Sequence, residues 1–300
     1  MTYTVPAHRW TLTRTALRAA GDRFRTLLTD GTDPTAMATR EWTVADSAAH
    51  VLSIAVLYVA LVEDSDVAVR IPDIETILPA TNVDTVADVN DHVLRHFTER
   101  DPDRLADQLG EAIDAILVAT TRTPPETTLP WLGDARVPVC GVLAHLVNEL
   151  LVHGWDMARA VRRPWPIPDD HAALYWDQFF LGMLHHDYGV LLDTSLPMPK
   201  RPIAVRFRSA YTPTATIVLG DRRIRLAPPD HPVDVQVRFR PARFNLMLFG
   251  RTSTAVAALR RDVVISGPRP WRLPAFLRVV HMPNARLAPN TATAGRCFGC

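Results

Sequence analysis

The residues with the most chemical potential crowd into one stretch, His145-Leu-Val-Asn-Glu149-Leu-Leu-Val-His153-Gly-Trp-Asp156. His145, Glu149 and His153 recur at i, i+4 and i+8. On an α-helix each step of four turns the side chain by about 40°. The three therefore share one stripe, and either adjacent pair can hold a metal ion. Imidazole with carboxylate suits a borderline ion such as zinc. A structural zinc site takes four protein ligands, whereas a catalytic one takes three and keeps a position open. One histidine from a facing helix completes the catalytic count. His50 is the candidate, at the head of an apolar run with Val51, Leu52, Ile54, Val56 and Leu57. The plain readings stand beside these: His50 as a satisfied core histidine, and His145 with Glu149 as a helix-surface pair. Asp156, three residues past His153, is either a surface acid or the acceptor that fixes a ligand imidazole's tautomer.

The elements that must position these groups are legible from periodicity. Helical spacing runs over about 8–29, from the Thr43 cap with Asp46 at the capping-box position to about Val62, and over about Thr85–Arg100. Another helix opens at Asp101-Pro102 and reaches about Thr121. The helix carrying the chemistry runs from near Pro138 to about Arg162. Residues 63–84, with Pro72, Pro79 and several Asp, read as a loop. An up-and-down helical bundle is the economical packing. A fifth helical stretch covers about Asp169–Leu192. Pro197, Pro199 and Pro202 then surround Lys200, the one lysine of the chain, and mark a boundary.

Past Pro202 the period changes to two. Ile203, Val205 and Phe207 alternate with arginines, and TATIVLGDRRIRL reads as a hairpin turning at Gly220-Asp221. Val233–Phe239 is a half-buried strand. Short helices over about Ala242–Phe249 and Ser253–Arg260, a strand Asp262–Ser266 and a helix near Trp271–Val280 follow. This pattern predicts an α+β layer, an antiparallel sheet with helices on one face. The expected division is 1–196, 203–283 and a flexible tail 284–300.

Composition narrows the function classes. Of 300 residues, 47% are apolar and 22% charged, which is ordinary for a folded globular protein. The net charge of +1 argues against nucleic-acid binding by bulk electrostatics. It conceals an asymmetry: residues 1–160 carry 13 basic and 23 acidic side chains, and residues 161–300 carry 20 and 9. Opposite charges on the two halves point to mutual attraction. Three cysteines make no disulfide framework, which with the absence of a secretory pattern predicts a cytoplasmic protein with no membrane partner. Cys140 reads as core, and Cys297-Phe-Gly-Cys300 has redox spacing in the tail. Oligomeric state is not readable.

WTVADSAAHVL and HLVNELLVHGWDMARAV, about a hundred residues apart, resemble the mycothiol-dependent maleylpyruvate isomerase family. The stretch VDVQVRFRPARFNLMLFGRTSTAVAALRRDVVISG is similar to that family's smaller C-terminal domain. The resemblance implies a DinB-like four-helix bundle followed by a sterol-carrier-protein-like α+β domain. It implies zinc held by His50, Glu149 and His153, with His145 behind them or as the rival to Glu149. It also implies mycothiol, or a related small thiol, as the nucleophile on an electrophilic small molecule, in isomerisation or S-transfer. Arg251, in the Gly-Arg turn, is then the candidate catalytic anion clamp. Trp42, Trp131 and Trp155 are candidates to floor a sugar site. A zinc-dependent hydrolase on the same bundle and a non-enzymatic lipid or small-molecule carrier are the alternatives.

Overall fold

The computed structural model describes residues 3–65 and 71–282. The tail and its two cysteines lie outside the described residues. Eleven helices and seven strands are numbered here in chain order among the described residues. Four long helices, α1 (Ala7–Thr29), α2 (Val44–Glu63), α5 (Pro102–Ala119) and α6 (Val139–Ala160), close a ring. In it α1 and α2 each pack on both α5 and α6. α4 (Val86–His96) lies outside that ring against α2.

The helix starts follow their local chemistry. Thr43 caps α2 by accepting from the Asp46 N–H while Asp46 Oδ2 accepts from the Thr43 N–H, a complete capping box. Asp101 caps α5, with Pro102 at its first position, where a missing N–H costs nothing. α6 is buried nearly all round, at 18 of its 22 residues, so it runs through the core rather than over the surface. Gly141 permits that, because a Cβ there would stand 2.7 Å from the carbonyl oxygen of Gln178. α2 is long and apolar enough to cross a membrane by composition, but 67% of its most apolar window is buried inside the protein.

Several expectations are corrected. The 63–84 stretch contains a helix, α3 (Ile74–Ala80). Ile74, Ile77 and Leu78 recur at helical spacing and pack on Ile71, Val89 and Val93, which outweighs Pro79. Before α6 the chain makes a two-stranded ribbon, β1 (Thr128–Pro130) with β2 (Arg136–Pro138). The fifth helical stretch stops at His185, not Leu192, and has three parts. These are α7 (Asp169–Leu174), one wider π turn over Tyr175–Phe180, and α8 (Leu181–His185). Beyond it the backbone finds partners elsewhere, with Val190 N–H on Gly133 O at 2.8 Å and Leu191 O accepting from Val83 N–H at 2.8 Å.

The second half forms a five-stranded sheet in the order β5–β4–β3–β6–β7: Arg223–Ala227, Ala215–Gly220, Ile203–Arg208, Val235–Phe239 and Val263–Ser266. Three neighbour pairs are antiparallel, but β3 and β6 run parallel, in register Val205 with Val235, so the sheet is mixed. Strand alternation reports burial of one face and carries no strand direction, which is why periodicity missed this. The hairpin turns one residue later than expected. Gly220 still pairs with Arg223, and Asp221 and Arg222 both take positive φ, as a tight I′ turn requires. α9 (Pro241–Leu248), α10 (Thr254–Leu259) and α11 (Leu273–Val279) complete this half.

The halves share one core. Trp176 sits 4.6 Å from the Phe207 ring and within 6 Å of Phe239 and Phe244, joining the π turn to the sheet and to α9. The buried Asn245 donates to Asn148 Oδ1 at 2.9 Å and Ala172 O at 3.0 Å, tying α9 to α6 and α7.

Candidate metal centre

The i, i+4 spacing on α6 and the facing position on α2 bring three groups together. One ligand atom each from His50, Glu149 and His153 lies within 4.8 Å of the others. Glu149 Oε2 stands 3.5 Å from His50 Nε2 and 3.3 Å from His153 Nε2. A tetrahedral zinc with ligand bonds near 2.05 Å has ligand–ligand edges of about 3.3–3.4 Å. Those separations match, and the donor set of two imidazoles and one carboxylate is that of an open three-ligand site.

His145 stands just outside. Its Nε2 is 3.6 Å from Glu149 Oε1, and its Nδ1 is 2.9 Å from Tyr58 Oη. An ionised carboxylate only accepts, so the favoured tautomer places the proton on Nε2 toward Glu149, and Tyr58 donates to Nδ1. Asp156 backs His153: Oδ2 lies 3.4 Å from Nδ1, short of hydrogen-bond alignment, so among the described residues Nδ1 is buried without a hydrogen-bond partner.

Arg251 lies at the site but is engaged. Nη2 donates to Asp156 Oδ2 at 2.6 Å, Nε to both carboxylate oxygens at 3.1 and 3.2 Å, and Nη1 to Phe249 O at 2.7 Å. Trp42 covers the centre, its ring 4.7 Å from His50 and 5.8 Å from His153. The preceding loop is fixed by Ala38 O, which accepts from Arg159 Nη2. Trp131 packs 5.3 Å from His145. Trp155 is not among the residues around the cavity; Arg159 sits over it. Cys140 is buried, its sulfur 3.6 Å from Tyr3 Oη, and burial pushes its thiol up to about 12, which suits packing rather than nucleophilic work.

The electrostatics reflect mutual support. Burial works against Glu149's charge, yet its contacts with His153 and His50 hold it well below the usual carboxylate range. Burial lowers His50 and His145, which favours the neutral, ligand-competent imidazole. For His153 burial also pulls downward, but the two carboxylates beside it outweigh that and raise it.

The centre opens on a cavity of about 960 Å³. Tyr58, Tyr175 and Phe179, none singled out by sequence, line it. The π turn carries the last two, and Phe179 packs 4.7 Å from the His145 ring. A π turn leaves no mark in hydrophobic periodicity; the available signal was the Tyr175/Phe179 pair at i, i+4.

A helical bundle that presents imidazoles and a carboxylate inward to a deep cavity belongs to the class of bundle proteins with sites built between facing helices. Residues 14–158 match the family described as the mycothiol maleylpyruvate isomerase N-terminal domain, and that stretch of the chain is similar to this family. Two solved structures, of the mycothiol-dependent maleylpyruvate isomerase and of a histidine-to-alanine mutant of it, are similar. Each match covers 88% of this chain and 96% of that chain at 15% identity, with TM-scores of 0.46 and 0.47 respectively. No curated protein matches the sequence.

Proposed function

We propose that the chain is a zinc-dependent thiol enzyme, using mycothiol or a related small thiol on an electrophilic small molecule as an isomerase or S-transferase. The observation that carries this reading is the convergence of His50, Glu149 and His153 on the wall of a large cavity, in a chain whose residues 14–158 match this family. When bound, the metal supplies an open coordination position at which a thiol loses its proton near neutral pH.

The chain's own residues do the rest. His50 and His153 offer Nε2, and Glu149 offers Oε2. His145 presents its Nε2–H toward Oε1 from 3.6 Å and is held in place by Tyr58. Asp156 stands with its carboxylate 3.4 Å from His153 Nδ1, and Arg251 locks Asp156, so Arg251 acts as a positioning residue. Trp42 and the apolar cavity wall keep water from the nucleophile. We further propose the division into 1–196 and 203–283.

Metal analysis of the wild type, His50→Ala and His153→Ala, with a mycothiol conjugation assay on a generic electrophile, tests the reading. Near-stoichiometric zinc is expected in the wild type and loss in both variants. Full occupancy in both variants removes the ligand assignment. Turnover independent of thiol identifies a hydrolase, and stoichiometric lipid without metal identifies a carrier.

A further inference from the structure

The cavity beyond the metal centre carries a second message, in the face that α2 turns toward it. After His50 come Ile54, Leu57 and Leu61, at i+4, i+7 and i+11, all lining the cavity and all partly accessible from it. These side chains form an apolar track leading away from the ligands along one helix face. Leu129 and Phe179 add to the apolar wall.

The charge inventory is one-sided. Among the described residues, Arg251 is the only arginine or lysine lining the cavity, and its guanidinium is already engaged by Asp156 and Phe249 O. Five acids line it apart from Glu149: Glu41, Asp64, Glu75, Asp91 and Asp134. All but Asp91 are exposed, so they set a negative potential around the cavity's accessible parts. A doubly anionic substrate would pass that field and, with the metal's open position given to the thiol, bury its carboxylates with no free side-chain cation among the described residues to receive them, an arrangement with a heavy desolvation cost. An uncharged chain meets neither obstacle and gains from the apolar track.

Resting on the thiol-enzyme reading above, we infer that this site takes an uncharged electrophile with a bulky apolar tail, and not a dicarboxylate. The reactive carbon sits toward His50, Glu149 and His153, and the tail lies along Ile54, Leu57 and Leu61. The thiol sulfur forms a bond to the electrophilic carbon as the double bond's electron pair moves to the conjugated carbonyl. The thiol's proton is returned to that adduct if the thiol stays. In isomerisation the carbon–sulfur bond breaks again, restoring the double bond and the thiol.

The test uses the zinc-loaded full chain and two unreactive analogues of matched length, an alkyl amide and a saturated dicarboxylate. Binding is read by calorimetry and by the fluorescence of Trp42 and Trp131, which line the cavity. Turnover of the matching α,β-unsaturated electrophiles with mycothiol is followed alongside. The amide is expected to bind about tenfold tighter or more, since an unpaired buried charge costs more than the factor of ten. Equal or tighter binding of the dicarboxylate, or binding of neither, overturns the substrate class. Amide binding without thiol-dependent turnover supports the substrate class and sinks the thiol reading instead. Ile54→Arg places a cation on the track and should move the preference toward the dicarboxylate; Leu61→Arg, nearer the helix end, serves if Ile54→Arg does not fold. An unchanged preference in a folded variant counts against the inference.

Discussion

At the scale of single residues, the centre separates three ligand candidates from the groups that hold them. His145 shares the α6 stripe with Glu149 and His153, yet it stands outside the three-atom cluster and hydrogen-bonds Tyr58. His145→Ala should therefore keep bound zinc, with affinity lowered by about tenfold, as for loss of an outer partner. Glu149→Ala should lose it, and equilibrium dialysis against a zinc indicator distinguishes the two. Arg251 and Asp156 form a pair whose side chains are 13% and 3% exposed. Removing only the arginine leaves a buried carboxylate uncompensated, so Arg251→Ala should cost about 3–5 kcal/mol in urea unfolding. Arg251→Ala with Asp156→Asn should recover part of that loss, because the stranded charge is then gone.

Among the elements, α2 owes its start to the Thr43–Asp46 box, and Thr43→Ala should cost about 1 kcal/mol of stability. The same box gives an acid-side prediction. Burial works to raise Asp46, but hydrogen bonds from Thr43 and Arg100 outweigh it and hold the carboxyl below its ordinary value. A folded value below the unfolded one means the stabilisation is complete above the unfolded pKa of about 3.9 and disappears as pH falls through the folded value. Asp46→Asn should thus be less stable than wild type at pH 7. The gap should narrow below about pH 4, as read by denaturant midpoints at both pH values. In α6, Gly141→Ala pushes a methyl group against the Gln178 carbonyl, a backbone atom that cannot rotate away. A loss of about 1–3 kcal/mol is expected.

For the whole molecule, the shared core makes the two halves interdependent. Trp176 is buried between the bundle and the sheet, so Trp176→Ala should cost about 3–5 kcal/mol. Far-ultraviolet dichroism and tryptophan fluorescence should report one coincident unfolding transition in the wild type, since a core common to both halves leaves neither intact without the other. The charge asymmetry between halves contributes at few points. Arg251–Asp156 and Arg163–Asp30 join the acidic half to the basic one, while Arg240 and Arg223 pair with Asp169 and Asp187 on the connecting segment.

Sequence alone determined what near neighbours decide. The α2 cap, the Asp101-Pro102 start, the α6 stripe and the change of period after Pro202 all rest on interactions within a few residues, and such interactions are written in spacing and residue type. Tertiary structure decided what depends on distant packing. It brought His50 to Glu149 and His153 across about a hundred residues and left His145 to one side. It engaged Arg251 with Asp156, set β6 parallel to β3, and turned Tyr175 and Phe179 into the cavity through a π turn. Periodicity fixes which face of an element is apolar, but only the packed core selects which faces meet.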